Sequence, residues 1–175
     1  MSDVDVEQQI VEFLTSEVGS EASARVDNLV LIGTGRSREN WLFDASWNGP
    51  DGEVHEQLIV RRDPLGGLLE TERSLEFAIL QALESTEVPA PRVRWLDADG
   101  SRLGRPSLIM VRESGDCEYY ILGDEKRAVD DRADLARRLC ELMAQVHAVD
   151  WQAAGLGEVL DDPGVNAAAA AVDHW

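Results

Sequence analysis

The sequence predicts an α+β chain: a five-stranded antiparallel sheet with one helix inserted after its third strand, followed by a helical segment. Three observations carry this. Trp41, Phe43, Ala45 and Trp47 alternate with Leu42, Asp44 and Ser46, the period of a strand with one buried face. Leu75, Ile79, Leu80 and Leu83 then switch to helical spacing between two strand-like runs. Beyond residue 130, Leu135, Leu139, Leu142, Met143 and Val146 keep helical spacing to the end of a long segment.

The elements follow in order. Ser2 or Asp3 can cap a first helix with Ile10, Val11, Leu14 and Val18 on one face, and Gly19 ends it. Arg25 to Ile32 reads as the first strand, followed by a Gly33-Thr34-Gly35 turn and the alternating second strand. Asn48 to Gly52 is a turn by composition, and Gln57 to Arg62 is the third strand of a meander. Asp63 to Gly67 breaks the sheet, and a helix runs from about Leu69 to Leu83. Val88-Pro89-Ala90-Pro91 forces an extended connection. Arg92 to Leu96 is the fourth strand, Asp97 to Gly100 a turn, and Pro106 to Arg112 the fifth strand. Cys117 to Asp130 is a polar connector. Asp130 or Asp131 starts the long helix, which runs to His147, and Asp162-Pro163 starts a last one through Ala167 to Trp175.

Glu76 falls on the apolar stripe of the inserted helix, not opposite it. A carboxylate there is costly to desolvate and needs a partner, unless it sits at a rim and reaches water. An arginine from the preceding strand is the natural candidate. By alternation Arg61 points with Ile59 and Gln57, and Arg62 with Val60 and Leu58, so only one of the two enters a given cleft. Gly33, Thr34 and Gly35 allow backbone N–H groups to approach an anion, though a Gly-x-Gly between strands is usually a plain hairpin turn.

Composition narrows the classes. The chain has 175 residues and a net charge of −18, enough for one domain or one domain plus part of another. Lys126 is the single lysine among 16 basic residues. So large an acidic excess argues against nonspecific binding to nucleic acid or to an anionic membrane. It would suit a cationic substrate, or it is simply a solvated surface. Cys117 and Cys140 form no metal spacing, and His55, His147 and His174 lie far apart. His147, at the end of its helix, reads as a packing or capping residue. The N-terminus shows no signal peptide and no run approaches a membrane span, so a cytoplasmic location is expected.

Seven stretches in order resemble one family. They are the Gly33–Asn40 loop, Leu58 to Pro64, Glu76 to Leu80, Val88 to Arg92, Leu103 to Pro106, Ile109 to Val111, and Leu142 to Asp150. From about Leu29 to Leu156 the chain is similar to the N-terminal half of the aminoglycoside phosphotransferase family, whose fold resembles choline kinases and protein kinases. The chain then divides into the N-terminal helix over residues 1–24 and, as the resemblance implies, a protein-kinase-like, nucleotide-binding N-lobe over 25–113. The resemblance also implies a connector, interlobe helix and truncated start of a helical C-lobe over 114–175.

The resemblance implies ATP-dependent phosphoryl transfer to a small-molecule hydroxyl. Gly33, Thr34, Gly35, Arg36, Ser37 and Asn40 would belong to the loop covering the nucleotide phosphates. Arg61 stands where the family usually has a phosphate-contacting lysine, and Glu76 would pair with it. Arginine keeps the charge and adds a planar donor fork. Met110 and Val111 open a hinge, through Glu113, that would present backbone groups to adenine. The family's catalytic Asp and its Mg²⁺ ligands follow a His-x-Asp motif. This sequence has none, and Val149-Asp150-Trp151 ends the interlobe helix instead of following a catalytic loop. The expectation is therefore a chain that holds ATP but no catalytic residue, with Mg²⁺ ligands in a missing C-lobe. Its partners would be a nucleotide, an acceptor, and either a second copy or a complementary C-lobe chain. The alternatives are a non-catalytic lobe that binds nucleotide or docks a partner, and an unrelated acidic α+β domain.

Overall fold

The computed structural model describes residues 3–32, 38–63, 73–115, 123–162 and 164–174. Two compact units divide them: Met1–Leu80 with Pro91–Gly115, and Gln81–Ala90 with Asp116–Trp175. The helix Asp3–Val18 (α1) belongs to the first unit. So do the strands Arg25–Ile32 (β1), Glu39–Gly49 (β2) and Gly52–Arg62 (β3), most of the helix Arg73–Leu83 (α2), and the strands Val93–Asp97 (β4) and Ser107–Val111 (β5). All four strand pairings are antiparallel, and the spatial order is β1-β2-β3-β5-β4.

The turn expected over Asn48–Gly52 is tighter than its composition suggested. Gly49 and Gly52 pair directly, so only Pro50 and Asp51 lie outside the ladder and β3 starts five residues before Gln57. Such a two-residue loop fixes the register of β2 and β3 along their whole length. A bulge interrupts β1 between Asp27 and Val30, where Asn28 takes a left-handed φ of 54°.

Each face of the sheet takes one helix. Val26, Trp41, Phe43, Ala45, Trp47, Leu58, Val60 and Ile109 form one core cluster with Val6, Ile10, Phe13 and Leu14 of α1. On the other face, Phe77 and Leu80 of α2 pack with Ile59, Val93, Leu108 and Met110. The Trp41–Trp47 alternation is therefore buried as its period predicts. Arg102 adds a second tie to α1: its guanidinium lies 4.1 Å from the Phe13 ring centre and it pairs with Glu17.

The second unit contains a long helix, Val129–His147 (α3), and a short one, Ala167–His174 (α4). The start expected at Asp162-Pro163 is not where α4 begins. Asn166 accepts a hydrogen bond from Ala169 N–H at 3.1 Å, while Asp162 is spent on Gly164 N–H at 2.8 Å, a local turn. On α3, Leu139, Leu142, Met143 and Val146 are exposed.

Candidate nucleotide-facing site

The register sorts the α2 face of the sheet into rows. Ile32, Asn40, Arg61 and Leu108 lie side by side across β1, β2, β3 and β5. The next row is Val30, Leu42, Ile59 and Met110. Beyond it come Asp27, Asp44 and Gln57. Chemistry changes from row to row: a cationic end at Arg61, an apolar band, then an acidic end.

The cationic end is built around one carboxylate. Arg61 Nη1 donates to Glu76 Oε1 at 2.8 Å, and Arg73 Nη1 donates to Glu76 Oε2 at 2.5 Å. Arg73 Nε also stands 3.1 Å from Asp63 Oδ1 in an ion pair. Glu76 is therefore partnered, as its place on the apolar stripe required, while its side chain stays 19% exposed. Burial lowers the pKa of Arg73; Glu76 and Asp63 oppose this, while Arg38 and Arg61 add to it. Among the described residues, Arg38, Arg61, Glu76 and Asp63 all act on Arg73.

Arg62 goes the other way. It lies on the α1 face opposite Glu39 and is 1% exposed. Its Nε and Nη2 have no hydrogen-bond partner. Burial draws its pKa down, Arg105 adds to this, and Glu39 opposes it. Glu39 itself is held by the Trp41 indole N–H at 2.6 Å and by Arg105 Nη2 at 2.7 Å. Burial pushes its carboxyl up, but those donors win and hold it below the usual carboxylate range. Of the adjacent arginines, only Arg61 reaches the face that carries Glu76.

The apolar band is the part that sequence reasoning left unmarked. Val30 is 52% exposed although it is β-branched and in a strand. Leu42 and Ile59 beside it are half-buried, and Met110 closes the row. The alternation of each strand was legible. The row was not, because it needs the cross-strand register and the bulge at Asp27–Val30.

Met110 and Val111 sit inside β5, and the sheet engages the start of the expected hinge. Val111 N–H donates to Arg92 O at 2.8 Å, and Arg112 N–H to Gln57 O at 2.9 Å. Backbone donors for a base therefore begin no earlier than Glu113. Arg112 Nη2 also reaches Asp44 Oδ1 at 3.2 Å, tying the residue after β5 to the acidic row. Asn40 is half-buried beside Arg61. Gly33, Thr34, Gly35, Arg36 and Ser37 lie outside the described residues.

Among the described residues, no three His, Cys, Asp or Glu side chains converge as a metal site. Nor does any described helix have the length and apolarity to cross a membrane.

Comparison with known proteins follows the same line. A model of the phosphotransferase enzyme family matches residues 29–171. Mouse (Mus musculus) acyl-CoA dehydrogenase family member 10 is 30% identical over 105 residues, which are 57% of this chain and 9% of that protein. A crystal structure of a candidate aminoglycoside phosphotransferase from Ralstonia eutropha JMP134 superposes with a TM-score of 0.58 at 23% identity. That match covers 86% of this chain and 41% of the other. The chain thus spans less than half the length of each. The structural likeness shows the fold: the sheet and α2 form a kinase-like N-lobe.

Proposed function

The chain belongs to the phosphotransferase enzyme family, and from that premise we propose that its first unit is the nucleotide-binding lobe of an ATP-dependent phosphotransferase acting on a small-molecule hydroxyl. The observation that carries this reading is the ordering of rows on one sheet face. A planar base would lie on the Val30–Leu42–Ile59 part of the band, bounded by Met110, which α2 buries. Its phosphates would extend toward Arg61, whose side chain is 36% exposed, and the Gly33–Asn40 loop. ATP would supply the phosphoryl group. Arg61 would hold its phosphates in register and Glu76 would hold Arg61.

Phosphoryl transfer also needs a group to orient the hydroxyl and carboxylates to hold Mg²⁺. No catalytic step is assigned to this chain. We propose that it contributes the clamp, with the remaining groups coming from sequence outside it. The test is an ATP titration of the purified chain by calorimetry, with Arg61→Met as control. Saturable binding that falls about tenfold or more in the variant is expected. No binding to the wild-type chain, or equal binding to both, sinks the proposal.

A second reading, a docking lobe without catalysis, is favoured by the exposed Leu139, Leu142, Met143 and Val146 of α3. Concentration-dependent self-association that those residues control would support it.

A further inference from the structure

We propose that Arg73 is a positioning residue for Arg61, one that fixes how many contacts Arg61 makes with Glu76. The proposal rests on the nucleotide reading above only in its last step. Arg73 is fully buried, its side chain 0% exposed, so it does not touch a ligand itself. Its ion-pair partners are Glu76 Oε2 at 2.5 Å and Asp63 Oδ1 at 3.1 Å. Asp63 lies two residues past Arg61 at the end of β3, and Glu76 lies three residues past Arg73 in the first turn of α2. One guanidinium therefore links the end of the strand to the start of the helix.

The consequence falls on Arg61. An arginine facing a lone carboxylate closes on both oxygens in a two-pronged pair. Here Arg73 already holds Oε2, so Arg61 meets Oε1 alone, through Nη1 at 2.8 Å. Its Nε is itself buried and has no hydrogen-bond partner among the described residues, while the side chain as a whole is 36% exposed, so the donor capacity open to solvent lies on the remaining guanidinium N–H groups. Arg61 is thus tethered by one prong and retains donor capacity for a second anion. Without Arg73, Glu76 would capture the whole fork.

The experiment combines ATP calorimetry with nitrogen-15 NMR of the Arg61 guanidinium, recorded without nucleotide. The variants are Arg73→Met, Arg73→Lys, Glu76→Gln and the Glu76→Gln/Arg73→Met double. The guanidinium signal of Arg61 is expected to change in Arg73→Met. ATP affinity is expected to fall about tenfold in that variant. Arg73→Lys, which can still occupy Oε2, should bring affinity back to within about threefold of wild type. In the Glu76→Gln background, Arg73→Met should add nothing, because its effect runs through that carboxylate. An unchanged Arg61 signal in folded Arg73→Met overturns the inference, as does an equal loss of affinity in the Glu76→Gln background. If Arg73→Met does not fold, Arg73→Lys decides: affinity as low as in Glu76→Gln overturns it. If the wild-type chain binds no ATP, the nucleotide reading fails, and the guanidinium signal still decides the role of Arg73.

Discussion

Arg61 and Arg62 are neighbours in sequence and lie on opposite faces of β3, one paired with Glu76 and the other buried beside Glu39. The two positions should respond to substitution in opposite ways. Arg61→Met should remove nucleotide binding with little loss of stability. Arg62→Met replaces a buried cation with two unpartnered nitrogens by an apolar chain of similar volume. Glu39 keeps Arg105 and Trp41 as partners. Urea unfolding of Arg62→Met should therefore fall within about 1 kcal/mol of wild type or above it. A loss of several kcal/mol would mean that Arg62 has a partner the geometry does not reveal.

The apolar band makes a separate prediction. Val30 is 52% exposed, so Val30→Asp disturbs no packed interior. It does place a carboxylate where a base would lie. ATP affinity should fall about tenfold or more, while the melting temperature stays within about 2 °C. Unchanged affinity would move the base away from this row.

Acid should weaken the first unit partly through Glu39. Its folded pKa lies below the ordinary value of 4.5. Between the two values the unfolded chain binds more protons, so stability falls as pH falls. The contribution is complete above 4.5 and is lost as pH drops through the folded value. In Glu39→Gln the acid limb of a stability–pH curve should be shallower. An unchanged limb would show that the Arg105 and Trp41 contacts do not bias this carboxyl.

Gly100 tests the turn between β4 and β5. Its φ is +71°, and a Cβ there would stand 2.3 Å from the Arg105 carbonyl carbon. Backbone strain and a backbone clash coincide, so Gly100→Ala should cost about 3 kcal/mol or more in urea unfolding. A cost under about 1 kcal/mol would show that the 98–106 segment shifts freely.

Much of this lobe was legible in the sequence because each strand carries its own period. Trp41, Phe43, Ala45 and Trp47 announced a buried face without reference to any other element. Glu76 announced a partner because a carboxylate on an apolar stripe is costly. What was not legible depends on relations between strands. Which arginine meets Glu76 follows from the face on which α2 lands, and alternation alone left that open. Arg73 carried no signal: at i−3 from Glu76 it reads like any surface ion pair, and only its complete burial sets it apart. The start of α4 was misread because Asp162-Pro163 and Asn166 are competing caps, and Asp162 closes a turn of its own.

The docking of α1 also sets an order of events during synthesis. Its apolar residues Val6, Ile10, Phe13 and Leu14 are covered in part by Leu103 and Ile109, and Arg102 pins Phe13 and Glu17. Those groups are made about a hundred residues later. At roughly 5–20 residues per second, the helix therefore waits several seconds on the ribosome with part of its greasy side uncovered. In that interval it is a ready client for a nascent-chain chaperone. Protease sensitivity of α1 in ribosome-bound chains should persist until the residues through Ile109 have cleared the exit tunnel.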